Sequence, residues 1–351
     1  NWGFGDYGKS FIGTHYTQMA SNGITWEVAT KDDLGIDLSL FNDKFTATVD
    51  YFHEKRTGIF LTREFLPDIT GLESKPKANV GEVKSQGFDG NFALKQKLGE
   101  VDMTIRGNIT YSKNEVLEKD EENQVYSYLY QKGYRVDQVK GLIAEGLFAD
   151  YDDIRTSPKQ EFGTVQPGDI KYKDVNGDGT IDSNDQIAIG YSTVAPEIYY
   201  SFHLGAEWRG IGFSAMFQGT ANYSAVLNTK SMFWPLINNT TLSSHYYENR
   251  WTPENLNAKY PRLSSQSNAN NYQTNTIWLE DRSFLKLRNV ELYYKFPKNL
   301  MQKTKILGSA KLYVRGVDLL CFDKIDVADP ESYGATNPLN KSVVVGLKIG
   351  F

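Results

Sequence analysis

The chain has 351 residues, 40% hydrophobic and 23% charged, and a net charge of −5, an acidic balance that argues against a nucleic-acid partner, whose phosphates would repel it. Its one cysteine, Cys321, excludes an internal disulfide and a cysteine zinc site, and His15, His53, His203 and His245 show no His-Glu-x-x-His spacing for a metallohydrolase. No stretch approaches the roughly 18 apolar residues of a spanning helix, which leaves open a protein that crosses a membrane on strands, with its apolar residues at alternate positions.

The chain opens at Asn1 without an initiator Met or a signal-peptide pattern, which is read as a start within a longer protein. Gly3 to Ser10 formally matches the phosphate loop Gly-x4-Gly-Lys-Ser. That loop needs a buried strand before it and a helix after it, so that amides converge on phosphate. Here only Asn1 and Trp2 precede it, and nucleotide binding is set aside.

Strict alternation begins at Leu34, Ile36, Leu38 and Leu40, turns at Asn42-Asp43, and resumes at Phe45, Ala47, Val49 and Tyr51. Successive strand residues face opposite sides, so each segment has one apolar and one strongly polar face. The pattern returns at Phe88, Phe92 and Leu94, turns at Leu98-Gly99-Glu100, and continues through Val101, Met103, Ile105, Ile109 and Tyr111. Acidic pairs in the next connection, Glu121-Glu122 and Asp152-Asp153, are read as solvated loop residues. Adjacent acids do not give the fixed separation that glycosidase chemistry requires.

Asp174-Val-Asn176-Gly-Asp178-Gly-Thr180-Ile-Asp182-Ser-Asn-Asp185 fits the twelve-residue EF-hand loop. Asp174, Asn176 and Asp178 fall at positions 1, 3 and 5, the Thr180 carbonyl at 7, Asp182 at 9 and Asp185 at 12, with Gly179 at the sharp turn. Clustered carboxylates repel unless a cation sits among them, so a structural calcium ion is expected, against the alternative of an ion-free acidic turn. Position 12 is Asp rather than Glu, which weakens bidentate closure. The flanks read as strands, and only one copy is present.

Alternation resumes at Ile198, Tyr200, Phe202, Leu204 and Trp208, turns at Arg209-Gly210, and runs through Ile211, Phe213, Ala215 and Phe217. In the long connection that follows, Trp234, Tyr246, Tyr247 and Trp251 are candidates to stack on a ligand or, more simply, to pack the loop. Leu285 and Leu287 are out of phase with Val290, Leu292, Tyr294 and Phe296, which places a β-bulge near Arg288-Asn289. Leu312 and Val314 alternate with Lys311, Tyr313 and Arg315. Cys321, within Leu319-Leu320-Cys321-Phe322, is read as a buried structural thiol. Val343, Val345, Leu347, Ile349 and Phe351 close the chain.

The strands, about 10 residues or longer, match a tilted bilayer crossing. Minimal turns alternate with long polar connections at 62–78, 119–195, 223–280 and 323–340, the asymmetry of periplasmic and extracellular loops in outer-membrane barrels; the connection 297–308 is the exception. An aromatic content of 13%, with 22 tyrosines, suits rings at a bilayer interface. The fold class expected is all-β, a transmembrane antiparallel β-barrel with long extracellular loops.

Several segments carry a resemblance to SusC/RagA-type TonB-dependent outer-membrane transporters of the Bacteroidetes, in their C-terminal barrel region. They are Ile24-Thr-Trp-Glu27, Leu34 to Phe41, Val49-Asp-Tyr-Phe52, Pro167 to Gly179, Ser283 to Leu292, Leu312 to Gly316 and Val345 to Phe351. The resemblance implies that residues 1–351 are the C-terminal part of a roughly 22-stranded barrel. The N-terminal plug domain and first barrel strands would lie outside the chain. It implies a non-enzymatic protein of the bacterial outer membrane that imports oligosaccharides or peptides. Its partners would be outer-membrane lipid, the TonB complex and a SusD-type surface lipoprotein. Two alternatives stay open: a passive porin, and a soluble secreted calcium-stabilised carbohydrate-binding β protein.

Overall fold

A computed structural model describes residues 2–3, 10–11, 19–21, 23–66, 69, 73–303, 305–333 and 339–351. The phosphate-loop match lies largely outside the described residues. Nine long strands form one sheet: β1 (Val28–Leu40), β2 (Phe45–Thr62), β3 (Lys77–Leu98), β4 (Val101–Glu118), β5 (Ile198–Trp208), β6 (Ile211–Ala221), β7 (Phe284–Lys295), β8 (Ser309–Asp323) and β9 (Ser342–Gly350). Every strand lies beside its neighbour in sequence, and the pairings from β4 to β9 are antiparallel. All nine strands correspond to alternating segments of the sequence, although β2, β3 and β4 run further than the alternation does.

The chain divides into two compact units. The smaller comprises residues 1–32, 53–85 and 114–136. In it, the Asn79 side chain bridges the Gly58 and Thr25 carbonyls, and Arg56 pairs with Glu27 and Glu54. The larger comprises residues 33–52, 86–113 and 137–351.

Within the larger unit, register keeps apolar side chains in phase across the strands. Ile105 faces Leu204, Phe202 faces Phe217, Leu292 faces Val314 and Leu312 faces Leu347. The expected bulge is present: pairing shifts between Leu287 and Asn289, leaving Arg288 unpaired in the ladder. Turns are minimal at 41–44, 99–100 and 209–210. Phe41, Asn42, Asp43 and Arg209 have positive φ there, a conformation that tight hairpins require. The connection 296–308 carries a short helix, α1 (Lys298–Lys303).

The apolar row is not a core. Leu34 is 68% exposed, Val345 69% and Leu347 61%, and Phe88, Phe213, Leu292 and Val343 are exposed with them. The hydrophobic core lies instead in the long connections, where Leu142, Ile170, Tyr172, Ile181, Leu227, Met232, Tyr246, Tyr260 and Trp278 pack together.

On the polar side, tyrosine rings cover glycines of the adjoining strand. A Cβ at Gly212 would fall inside the Tyr293 ring, and one at Gly346 inside the Tyr313 ring, each ring directly opposite in register. Gly212→Val should therefore lower stability by about 1–3 kcal/mol, the range for overpacking, and Tyr293→Ser should restore part of the loss. An unchanged thermal unfolding midpoint for Gly212→Val would show that the ring does not lock the pair.

Candidate functional site

The polar face of the larger unit is built by strand parity: side chains at alternate positions of β4 to β9 share it. Towards the tight turns it carries an ionic ladder. Glu207 accepts from Tyr293 Oη at 2.7 Å and Lys295 Nζ at 2.5 Å, while Glu291 accepts from Lys311 Nζ at 2.5 Å and Arg315 Nε at 2.8 Å. Towards the long connections, Ser201 donates to Asn108 at 2.8 Å, beside Thr110 and Tyr199, and Gln218 accepts from Arg288 Nε at 3.0 Å. Cys321 corrects the expectation of a buried thiol. It is exposed and pairs in register with Lys286 on this polar face. Parity, not the apolar run around it, decides where it points.

The long connections hold themselves together from within. Tyr246, Tyr260 and Trp278 stack in parallel, with centroids 5.0 Å and 5.6 Å apart, and each such contact adds about 0.5–1.5 kcal/mol beyond the area buried. Burial pushes the Tyr172 and Tyr246 hydroxyls well above the ordinary tyrosine range. An asparagine-rich run supplies the hydrogen bonds that a sheet ladder would otherwise provide. Asn268 and Asn271 donate to the fully buried Asp169, which also pairs with Arg262 at 2.8 Å. Asn270 donates to the Ile170 carbonyl, and Asn275 to Tyr172 Oη.

Of the candidate aromatics, Tyr246 is core and Trp251 lies against Gly168. Trp234 stacks on Tyr272 at 4.5 Å, and Tyr247 is exposed with Arg250 over its ring. Packing of the loops accounts for the first three.

The acidic pairs have local roles. Asp150 caps the short helix Tyr151–Thr156, and Asp153 pairs with Lys171 at 2.8 Å, which holds its carboxyl below the ordinary value. Glu121 accepts from the amides of Gln131 and Lys132, and Glu122 pairs with Lys75.

The EF-hand-like segment folds with its flanks as strands, Ile170–Tyr172 and Ile187–Ala188. Its acceptors are engaged by its own backbone. Asp174 accepts from the amides of Gly177 and Gly179, Asn176 from that of Asp178, Asp178 from that of Thr180, and Asp182 from that of Asn184. Asp185 is fully buried and accepts from Val175 and Asp182, closing a capping box. Among the described residues, no three His, Cys, Asp or Glu side chains are placed to share a metal ion. The ligand types, with Asn176 and the Thr180 carbonyl beside the carboxylates, suit calcium.

Sequence reasoning missed a cationic anchor at the start of β7. Lys286, its side chain 3% exposed, pairs with Asp329 and Glu331, both at 2.8 Å. Arg288, freed by the bulge, pairs with Glu331 and with Asp318. Arg282 donates to the Pro330 carbonyl and to Tyr223 Oη. The available signal was two basic residues on the polar face of a strand, matched by Asp329 and Glu331 in the next long connection.

Burial alone would raise the Glu331 carboxyl, but hydrogen bonds from Arg288 and Lys286 outweigh it and hold it below the ordinary value of 4.5. A depressed acid stabilises the fold fully above its unfolded value and loses that contribution as pH falls through the lower folded value. Protection of 324–333 against protease should therefore collapse as pH drops below about 4.5. In Glu331→Gln it should already be weakened at neutral pH and change less with acid. Matching pH profiles for the two proteins would remove Glu331 from this role.

No family model matches the chain. Among curated proteins it is 23% identical over 354 residues to TonB-dependent receptor P3 of Formosa agariphila, covering 96% of this chain and 34% of that protein. It is 26% identical over 332 residues to TonB-dependent receptor P26 of the same organism, covering 88% and 31%. With TonB-dependent receptor SusC of Bacteroides thetaiotaomicron the identity is 23% over 359 residues, covering 98% and 34%. The chain thus spans about a third of the length of the curated relatives it matches. Among solved structures it is similar to the RagAB peptide transporter, with a TM-score of 0.69 and 21% identity, covering 93% of this chain and 36% of that one, a likeness of fold.

Proposed function

We propose that this chain, which is similar to SusC/RagA-type TonB-dependent transporters along nearly its whole length, is the C-terminal part of the transmembrane β-barrel of such a transporter. On this reading the barrel closes at roughly 22 strands in the bacterial outer membrane. The tight turns face the periplasm and the long connections the cell exterior. The protein imports oligosaccharides or peptides, driven through the TonB complex, with a SusD-type lipoprotein over its extracellular mouth. It has no catalytic step of its own.

One observation carries the proposal: the apolar side of a nine-stranded sheet is uncovered, while the hydrophobic core belongs to the connections. Apolar strand faces of this extent need hydrocarbon or protein across from them, and lipid serves the first role in a barrel. The ionic ladder on the other face suits a wet interior.

The full-length protein should require detergent for extraction, migrate differently on gels before and after boiling, and lose uptake when TonB is deleted. Recovery as a folded, detergent-free protein would end the barrel reading. Uptake that persists without TonB would convert it to a passive porin.

Calcium at Asp174, Asn176, Asp178, Thr180 and Asp182 is proposed on ligand type and spacing alone, with Asp185 as a cap. Calcium at about 1 mM should then raise the unfolding midpoint of the wild type and not of Asp178→Ala. Indifference to calcium and to chelator would leave the segment as a self-bonded acidic turn.

A further inference from the structure

The apolar side of the sheet carries a recess of about 470 Å³ across β2 to β5. Its outward lining includes Ala47, Val49, Phe88, Phe92, Ile109 and Phe202. Val49, Phe88, Phe92 and Ile109 are each between 40% and 49% exposed, so the recess is open on the apolar side.

Sequence and pairing explain the gap. Phe88, Gly90 and Phe92 follow one another on the outward side of β3, so the middle position has no side chain to fill it. The surrounding rings are engaged elsewhere. Phe92 lies over Gly107, Phe88 against Tyr111 at 5.7 Å, and Phe202 stacks on Phe217 at 4.7 Å. Tyr200 lies over Gly219, with its hydroxyl donating to the Phe284 carbonyl.

Further along β4, towards the long connections, the same side carries Tyr111 and then Lys113. From Ile109 to Lys113 is a rise of about 13 Å. Lys113 is exposed and, among the described residues, has no ion pair. Glu115, two residues on, is taken by Lys84 at 2.9 Å. An apolar recess, an aromatic ring with a polar tip and a spare ammonium thus follow in order along one strand face.

We infer that the recess and Lys113 form a binding site for one phosphorylated lipid of the outer leaflet, with an acyl chain in the recess and a phosphate on the ammonium. The inference rests on the barrel reading, which puts this side of the sheet in hydrocarbon and the long connections outside the cell. A lysine at the edge of an apolar band extends its ammonium towards the head groups and attracts anionic ones. A lipid that is zwitterionic brings its own ammonium beside its phosphate, so it gains less from Lys113. The apolar lining accepts a chain of methylenes, and a recess of about 300–1,000 Å³ is of the size that holds small ligands.

The test uses the full-length protein in mild detergent, delipidated and checked as folded by heat-modifiable migration. Native mass spectrometry counts the lipid retained as lipid A, dephosphorylated lipid A or phosphatidylethanolamine is added. Lipid A should bind most tightly. Ala47→Phe, which fills the recess from its lipid side, should weaken the tightest binding at least tenfold. Lys113→Ala should weaken it about fivefold, the usual effect of one lysine at a lipid surface. Val314→Phe, on the apolar side of β8 away from the recess, should leave it unchanged. Equal binding of either comparison lipid, indifference to Ala47→Phe or to Lys113→Ala, or no binding by a properly migrating barrel would each overturn the inference and leave the barrel reading standing. A protein that fails the migration check fails that earlier reading instead.

Discussion

The structure depends on what covers the apolar face of its sheet. Leaving a Leu, Val, Ile or Phe side chain in water forfeits about 1.5–3 kcal/mol, and a folded domain has only about 5–15 kcal/mol in hand. Leu34, Leu292, Val343, Val345 and Leu347 are all exposed, with many like them; a few such residues would exhaust that margin. Among the described residues, no second layer packs on them as the core residues of the connections pack on one another. A nonaqueous surrounding on one side and water on the other reconcile the strand faces with a stable fold.

The connections meet the opposite requirement. On the proposed reading they fold in water and so need a core, and they build one from stacked aromatics and buried asparagines. Asp169 illustrates the cost. A fully buried carboxylate is tolerable only because Arg262, Asn268 and Asn271 all reach it. The cations at the start of β7 then fasten the 329–331 segment to the strand. These contacts tie the connections to themselves and the 329–331 segment to the sheet.

Local periodicity made the sheet legible. Parity set the faces, Asn42-Asp43 and Arg209-Gly210 set two of the turns, and a phase slip located the bulge at Arg288. What escaped was non-local. The far part of β2, from His53 to Thr62, is secured by pairs such as Lys31 with Glu54 rather than by alternation. Cys321 was misplaced because the composition of its neighbours outweighed its parity with Lys311, Tyr313 and Arg315. In 174–185 the sequence displays calcium-type oxygens, but their engagement by backbone amides is a property of the folded turn. The hydrogen bonds that join Ser201 to Asn108 and Arg288 to Gln218 combine residues from four strands, and no single segment announces them.

Contact with an apolar medium also cannot fix register. A slip by two residues keeps every apolar side chain on the apolar face, and a nondirectional hydrophobic interaction hardly distinguishes the two pairings. The information must come from the polar side. There Glu207 reaches Lys295 and Tyr293 across β5 to β7, Glu291 reaches Lys311 and Arg315 across β7 and β8, and tyrosine rings settle over Gly212 and Gly346. Each of these contacts is lost by a slip of two. The bulge at Arg288 adds a further lock, since only one alignment delivers its guanidinium to Asp318 and Glu331. The two faces divide the labour: the apolar one makes association favourable, and the polar one makes it unique. The charges near the tight turns are therefore committed to the fold.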